Sequence, residues 1–221
     1  MLDLASFMVL ALVLGFKHSY GSDHLIAVSN ILRKVDSIKS SVKLGFSWAV
    51  GHMLTAALIA ITLFIFKESF LHTILPNFER IVGVMLIVLG VLSFRDFFRF
   101  HSHKHSHGII VHAHPHVHLK TKQDKKHFHA HMFGIGIVHG LASNGELLLL
   151  LASSLAVTSL GGLLLGISIF SLGVVLGMVV FAIAFSYPLV KVQSEKINKF
   201  ISCGTGLTSI VYGILILSAL V

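Results

Sequence analysis

The stretch His18-Ser19-Tyr20-Gly21-Ser22-Asp23-His24 decides how this chain is read. It lies inside an apolar run from Leu4 to Leu32, long enough for the roughly 20 residues that a helix needs to cross a bilayer core. An aspartate inside such a span costs about 2.5–3.5 kcal/mol on insertion scales, so it needs a reason to be there. On a straight helix of 100° per residue, Asp23 falls about 140° and His24 about 240° round from His18. The three side chains therefore cannot converge on one ion unless the helix breaks. Gly21, followed by Ser22, is a place for it to unwind, and a break at mid-depth frees backbone carbonyls as further ligands. Two readings of Asp23 stand: a cation site shared with His18 and His24, or a pair with a histidine or Lys17 that fastens helices together.

The rest of the chain sets that stretch in a membrane. Of 221 residues, 55% are hydrophobic and only 12% charged, and the mean hydropathy is +0.88. Soluble domains carry about 25% charged residues. Six stretches are apolar and long enough to span: Leu4–Leu32, Val42–Phe66, Arg80–Phe98, Met132–Ala156, Leu160–Tyr187 and Lys199–Val221. A transmembrane barrel would instead show alternating segments of about ten residues. The N-terminus, Met1-Leu2-Asp3, lacks the basic region of a signal peptide, so the first run reads as a retained span.

The two halves look alike. Gly15, His18 and Asp23 align with Gly136, His139 and Asn144; Phe46-Ser47 aligns with Phe170-Ser171; Gly83 and Gly90 align with Gly206 and Gly213, at offsets of 121, 124 and 123. Each half holds three spans, an odd number, so the second enters the membrane upside down. Inverted repeats are a recurrent transporter design with the site at the repeat interface. The expected fold is an all-α polytopic membrane protein of six transmembrane helices in two inverted three-helix repeats. Residues 1–100 form the first, 132–221 the second, and 101–131 a His-rich loop between them.

The net charge of +8 is a topology signal more than a nucleic-acid signal. Fourteen of the 17 Lys and Arg residues fall in the loops after the first, third and fifth spans. By the positive-inside rule those loops are cytosolic, in the cytoplasmic membrane, and both termini lie outside. The segment 101–131 carries 11 of the 16 histidines, in strict alternation at His101 to His107, His112 to His118 and His127 to His131. Strict alternation would suit a strand or an extended chain; the polarity and few apolar anchors predict a flexible segment, a weak multivalent metal trap at the cytosolic mouth.

The second span holds Gly51-His52-Met53-Leu54-Thr55, with His52 at mid-depth, read either as a ligand or as a packing histidine. Gly51 lets another backbone come close. Gly162 with Gly166, and Gly173 with Gly177, have the spacing of close helix contacts within the fold. In the fourth span His139 and Glu146 share a helix face, and Asn144 stands where Asp23 stands in the first half. Glu146 reads as a ligand, a proton acceptor or an interfacial charge.

The candidate metal residues are therefore His18, Asp23, His24, His52, His139, Asn144 and Glu146. Imidazole with carboxylate suits a borderline divalent ion such as Ni²⁺, Co²⁺, Zn²⁺, Cu²⁺ or Fe²⁺, whereas all-oxygen sites suit Mg²⁺ and Ca²⁺. Ligating histidines are neutral, so binding should weaken below about pH 6.5. The single cysteine, Cys203, excludes an internal disulfide and a paired-thiol electron carrier. A membrane di-iron enzyme would need compact histidine boxes near helix ends, unlike these histidines deep in spans or alternating in a loop.

These residues resemble the nickel/cobalt permeases. His18 to His24 has the form H-x-x-x-x-D-H of their first-helix signature, Leu25 to Asn30 and Gly51-His52-Met53-Leu54-Thr55 are also similar, and Val138-His139-Gly140-Leu141-Ala142 is similar to the fourth-span motif of the UreH-like six-span branch. Where family sequences often have Ala-x-x-x before the Asp-His pair, Ser19-Tyr20-Gly21-Ser22 stands before Asp23-His24 here. The resemblance implies a permease for Ni²⁺ or Co²⁺, not an enzyme, with His18, Asp23, His24 and His52 on the path. It needs no cofactor beyond the metal it carries. The divalent ion and the lipid bilayer are its expected partners, a cytosolic metal chaperone is admitted and nucleic acid is not. No G-x-x-x-x-G-K-[ST] is present, so energy would come from a gradient, a potential or a partner. An internal His-rich loop is also similar to the exporters of the wider superfamily, so uptake and export both stand, with uptake favoured.

Overall fold

A computed structural model describes residues 4–66, 71–99, 102–107, 110–115, 121–142, 160–192 and 194–219. The first apolar run is two helices, α1 (Leu4–His18) and α2 (Ser22–Leu32), bent by 56° at the residues between them. Gly21 sits there with φ −53° and ψ 138°, a backbone that any residue adopts. Its missing side chain is needed for space. A Cβ would lie 2.5 Å from Nδ1 of His24 and 2.9 Å from the Asp23 carboxylate.

The other helices are α3 (Ile38–Phe66), α4 (Leu71–Arg99), α5 (Thr121–Ala142), α6 (Leu160–Val192) and α7 (Glu195–Ala219). Four of them, α3, α4, α6 and α7, are long and apolar enough to cross a membrane, and the bent pair α1/α2 makes one broken span. The described helices are those of an all-helical polytopic membrane protein. In α5 the apolar part is Ala130–Leu141. The remainder of the expected fourth span lies outside the described residues, with Asn144 and Glu146. Large apolar side chains such as Val84, Val88, Leu172, Leu176, Leu207 and Val211 face outward. In water they would be a liability; against lipid tails they are at home.

The His-rich segment differs from the flexible chain expected of it. It contains an antiparallel ribbon of β1 (Ser102–His107) and β2 (Ile110–Pro115), whose register pairs His103 with His114 and His105 with His112. Alternation is the period of a strand, and polarity does not forbid a two-stranded ribbon in solvent.

The helices pack in reciprocal pairs. The most extensive contacts join α1 to α6, α3 to α5 and α4 to α7, and α3 against α6 joins the first two pairs. Glycines make these approaches close. Gly15 packs on the Phe170 carbonyl and Gly136 on the Trp48 carbonyl; Gly173 packs on Leu12 and Gly51 on Phe133; Gly90 meets Gly206 and Gly83 meets Gly213. Gly177 meets Ser19 and Gly166 meets Phe7, so the small-residue spacing of α6 serves contact with the first broken span and its bend. With no hydrophobic force between helices in lipid, such backbone-to-backbone packing is a main source of association. A core of Phe7, Trp48, Met132, Leu163, Phe170 and Met178, among others, fills the space between α1, α3, α5 and α6.

A buried polar clamp fixes the far end of α2. Arg33, 7% exposed, donates to Asp96 of α4 at 2.6 Å and to the Ser202 hydroxyl of α7 at 2.9 Å. Lys34 also pairs with Asp96. One turn earlier Asn30 accepts from Ser93 of α4 at 2.7 Å. Burial pushes the Lys34 ammonium below its ordinary range, and Asp96 works against that shift. Asp96, near the end of the expected third span, thus pairs with two cations of the loop after the first.

Two tests follow from this packing. Gly136→Val should lower the thermal midpoint, because its side chain strikes backbone and overpacking typically costs about 1–3 kcal/mol. Gly134→Ala, with nothing within 4 Å of its Cβ, should be nearly neutral in the same melt. Asp96→Asn should destabilise by on the order of 3 kcal/mol, since it leaves a buried guanidinium without its counter-charge, read by denaturation in detergent.

Candidate metal centre

The bend is the origin of the site. His18 is the last residue of α1 and His24 the third of α2. Only a change of helix direction between them lets both rings reach one point. α3 supplies His52 and α5 supplies His139. All four histidines are buried, none more than 4% exposed.

His18, His24 and His52 each offer a ring nitrogen, and these nitrogens lie within 4.8 Å of one another. Nε2 of His18 and Nε2 of His52 are 3.0 Å apart, so one donates and the other accepts. A cation bound by both nitrogens would replace the proton they share. Nδ1 of His24 lies 3.4 Å from the Asp23 carboxylate. Asp23 is partly exposed, so the only carboxylate in the cluster among the described residues sits at its edge.

His139 completes a ring of imidazoles. Its centroid is 5.3 Å from that of His24. Nδ1 lies 3.1 Å from the Ile135 carbonyl, one helical turn back, so Nδ1 carries the proton and Nε2 keeps its lone pair. Thr55 ties the two helices together here, donating to the Ile137 carbonyl at 3.0 Å. Gly140 packs on the His52 carbonyl.

Several nitrogens of the cluster lack partners. Nε2 of His24 and Nδ1 of His52 are buried with no hydrogen bond. Buried polar atoms are nearly always satisfied, so several orphans in one place call for a ligand or a function. Three or four neutral imidazoles with a carboxylate at the rim make a donor set for a borderline divalent transition metal, not for Mg²⁺ or Ca²⁺.

The structure thus brings His18, His24, His52 and His139 together with Asp23 beside them. Asn144 and Glu146 lie outside the described residues. Two aromatic residues of the site were not singled out in the sequence. Trp48 stacks on His52 at 4.9 Å with 15° between the planes, and Phe170 lies 5.5 Å from His18. The signal for Trp48 was available: it is four residues before His52, on the same helix face. Phe170 had appeared only as a repeat match, aligned with Phe46; by its contacts its counterpart is Trp48, since Gly15 packs on one and Gly136 on the other.

Comparison with known proteins places the chain. Residues 6–215 match the family described as the cytochrome C biogenesis protein transmembrane region. The chain is 32% identical over 215 residues to the urease accessory protein UreH of Bacillus sp. (strain TB-90), covering 96% of this chain and 90% of that one. It is 30% identical over 94 residues to the nickel transporter NixA of Staphylococcus aureus (strain NCTC 8325 / PS 47), covering 38% of this chain and 28% of that one. No solved structure matches. Likeness to UreH along nearly its whole length and to NixA in part, joined to a buried histidine cluster, sets it apart from a thiol carrier, for which the single Cys203 offers no partner. The chain belongs to the cytochrome C biogenesis protein transmembrane-region family and, within that breadth, is a UreH-like protein of the nickel/cobalt permease type.

Proposed function

We propose that the protein is a secondary permease that carries Ni²⁺ or Co²⁺ inward across the cytoplasmic membrane through the cluster at the α1/α2 bend. The observation that carries this reading is the convergence of three buried imidazoles within 4.8 Å, from elements on both sides of a broken span. His18, His24 and His52 would bind the dehydrated ion, with His139 adjoining. Asp23 at the rim would neutralise part of its charge, and Asn144 and Glu146 are the candidates from the second half. The name of NixA supports nickel as the cargo.

Two further observations support the transport reading. The reciprocal packing of α1 on α6 and α3 on α5 is what two inverted three-helix repeats would produce, with the site at their interface. The bias of Lys and Arg to one side supports both termini outside and the His-rich ribbon in the cytosol. An inside-negative potential then favours entry by about 2.3 kcal/mol per charge per 100 mV, so a divalent ion is drawn inward without nucleotide chemistry.

Proteoliposomes with an imposed potential test this. Wild-type protein should accumulate Ni²⁺ or Co²⁺ when the interior is negative. His52→Ala and Asp23→Asn should each cut uptake by about tenfold or more, as loss of a metal ligand does, while eluting as folded protein. Unchanged uptake in both variants would sink the assignment. Removing 101–131 should change the apparent affinity more than the maximal rate; a well-folded deletion without any transport would contradict the role given to that segment.

A further inference from the structure

Trp48, the single tryptophan of the sequence, is completely buried and touches three of the four imidazoles. Its indole lies parallel to the His52 ring, edge-on to His24 at 4.9 Å and 82°, and meets His139 at 5.8 Å. Its main chain is held as well, because Gly136 packs directly on the Trp48 carbonyl and admits no side chain between. The result is a buried plate with few torsions, held at its main chain, against which the His52 ring lies flat. In that orientation Nε2 of His52 meets His18.

Resting on the permease reading, we propose that Trp48 is a positioning residue that sets the metal preference of the cluster. Imidazole ligands left to themselves rank divalent ions by intrinsic affinity, with Cu²⁺ above Ni²⁺ and Co²⁺. A site that departs from this order must hold its ligands in a geometry the stronger binder does not favour. The groups that lock a ligand ring in place are what impose that geometry. Here the His52 ring lies flat on the indole, and that stacking limits how far it can turn. A smaller ring at position 48 frees His52 and His24 to turn and to follow the incoming ion. The preference then drifts toward Cu²⁺.

The test uses the full chain in proteoliposomes and in detergent. In wild-type protein the fluorescence of Trp48 should be quenched saturably by Ni²⁺ and Co²⁺, an unambiguous signal because the sequence holds one tryptophan. In Trp48→Phe and Trp48→Tyr, Cu²⁺ should inhibit Ni²⁺ uptake at about tenfold lower concentration relative to the KM for Ni²⁺, the scale on which ligand-orienting neighbours act. Folded variants in which that ratio is unchanged would overturn the proposal. Where neither variant folds, the wild-type titration decides: Ni²⁺ transport without quenching, or a quench that ranks Cu²⁺ over Ni²⁺ as free imidazole does, overturns it too. Wild-type protein that takes up no Ni²⁺ at all would instead defeat the permease reading, which keeps the two failures distinct.

Discussion

The site depends on one geometric constraint: a straight helix cannot present His18 and His24 to the same point. The 56° bend between α1 and α2 removes that obstacle, and Gly21 makes the bend compatible with its neighbours by leaving room for the His24 ring and the Asp23 carboxylate. Everything else around the site answers to that bend. Gly177 accepts Ser19, the residue after the end of α1, and Gly15 lets α6 come up against the last turn of α1. At the far end of α2 the Arg33–Asp96 pair and the Asn30–Ser93 hydrogen bond hold the short helix in its new direction. α2 is 11 residues long, about 16 Å at 1.5 Å per residue. It is therefore a short strut with imidazole chemistry at one end and a charge clamp at the other.

Much of this was legible in the sequence, for reasons that can be named. The apolar lengths located the four long helices and the bent pair because lipid leaves a helix few alternatives. The angular argument on His18, Asp23 and His24 pointed to a break near Gly21 because helix geometry is fixed, whatever the surroundings. The glycines of the two halves were visible as a pattern. What they touch was not, since a glycine carries no record of its partner. Three features escaped altogether. The stacking of Trp48 on His52 follows from four-residue spacing, but tryptophan is so often a core residue that the spacing alone does not single it out. Arg33 was counted as an orientation charge. Nothing in the chain order says that Asp96, 63 residues later, would bury it. The ribbon at 102–107 and 110–115 follows the strand period of the histidine alternation, which the low apolar content of the segment masks.

The family match gains meaning from the chemistry inside it. The chain matches a family described by cytochrome c biogenesis and, over 94 residues, a relative named for nickel transport. What distinguishes uses of such an architecture is the set of side chains at its centre. Here the centre is nitrogen, four imidazoles deep, and the one sulfur of a cysteine, Cys203, lies on α7 away from that cluster. The scaffold is symmetric in its contacts while the cluster is not. His18 and His139 occupy matching places, opposite Phe170 and Trp48 respectively. His24 and His52 have no histidine counterparts, since Gly145 and Val174 stand at the matching positions.

The glycine contacts carry a mechanical consequence. Where two helices meet backbone to backbone, no layer of flexible side chains separates them, and neither can slide without the other. The close pairs are α1 with α6, α3 with α5 and α4 with α7, so each pair takes one helix from either side of the His-rich ribbon. The working parts of the molecule are therefore not its two sequence halves but three cross-stitched staves. A first half made alone would be three spans, each lacking the surface it was shaped to meet.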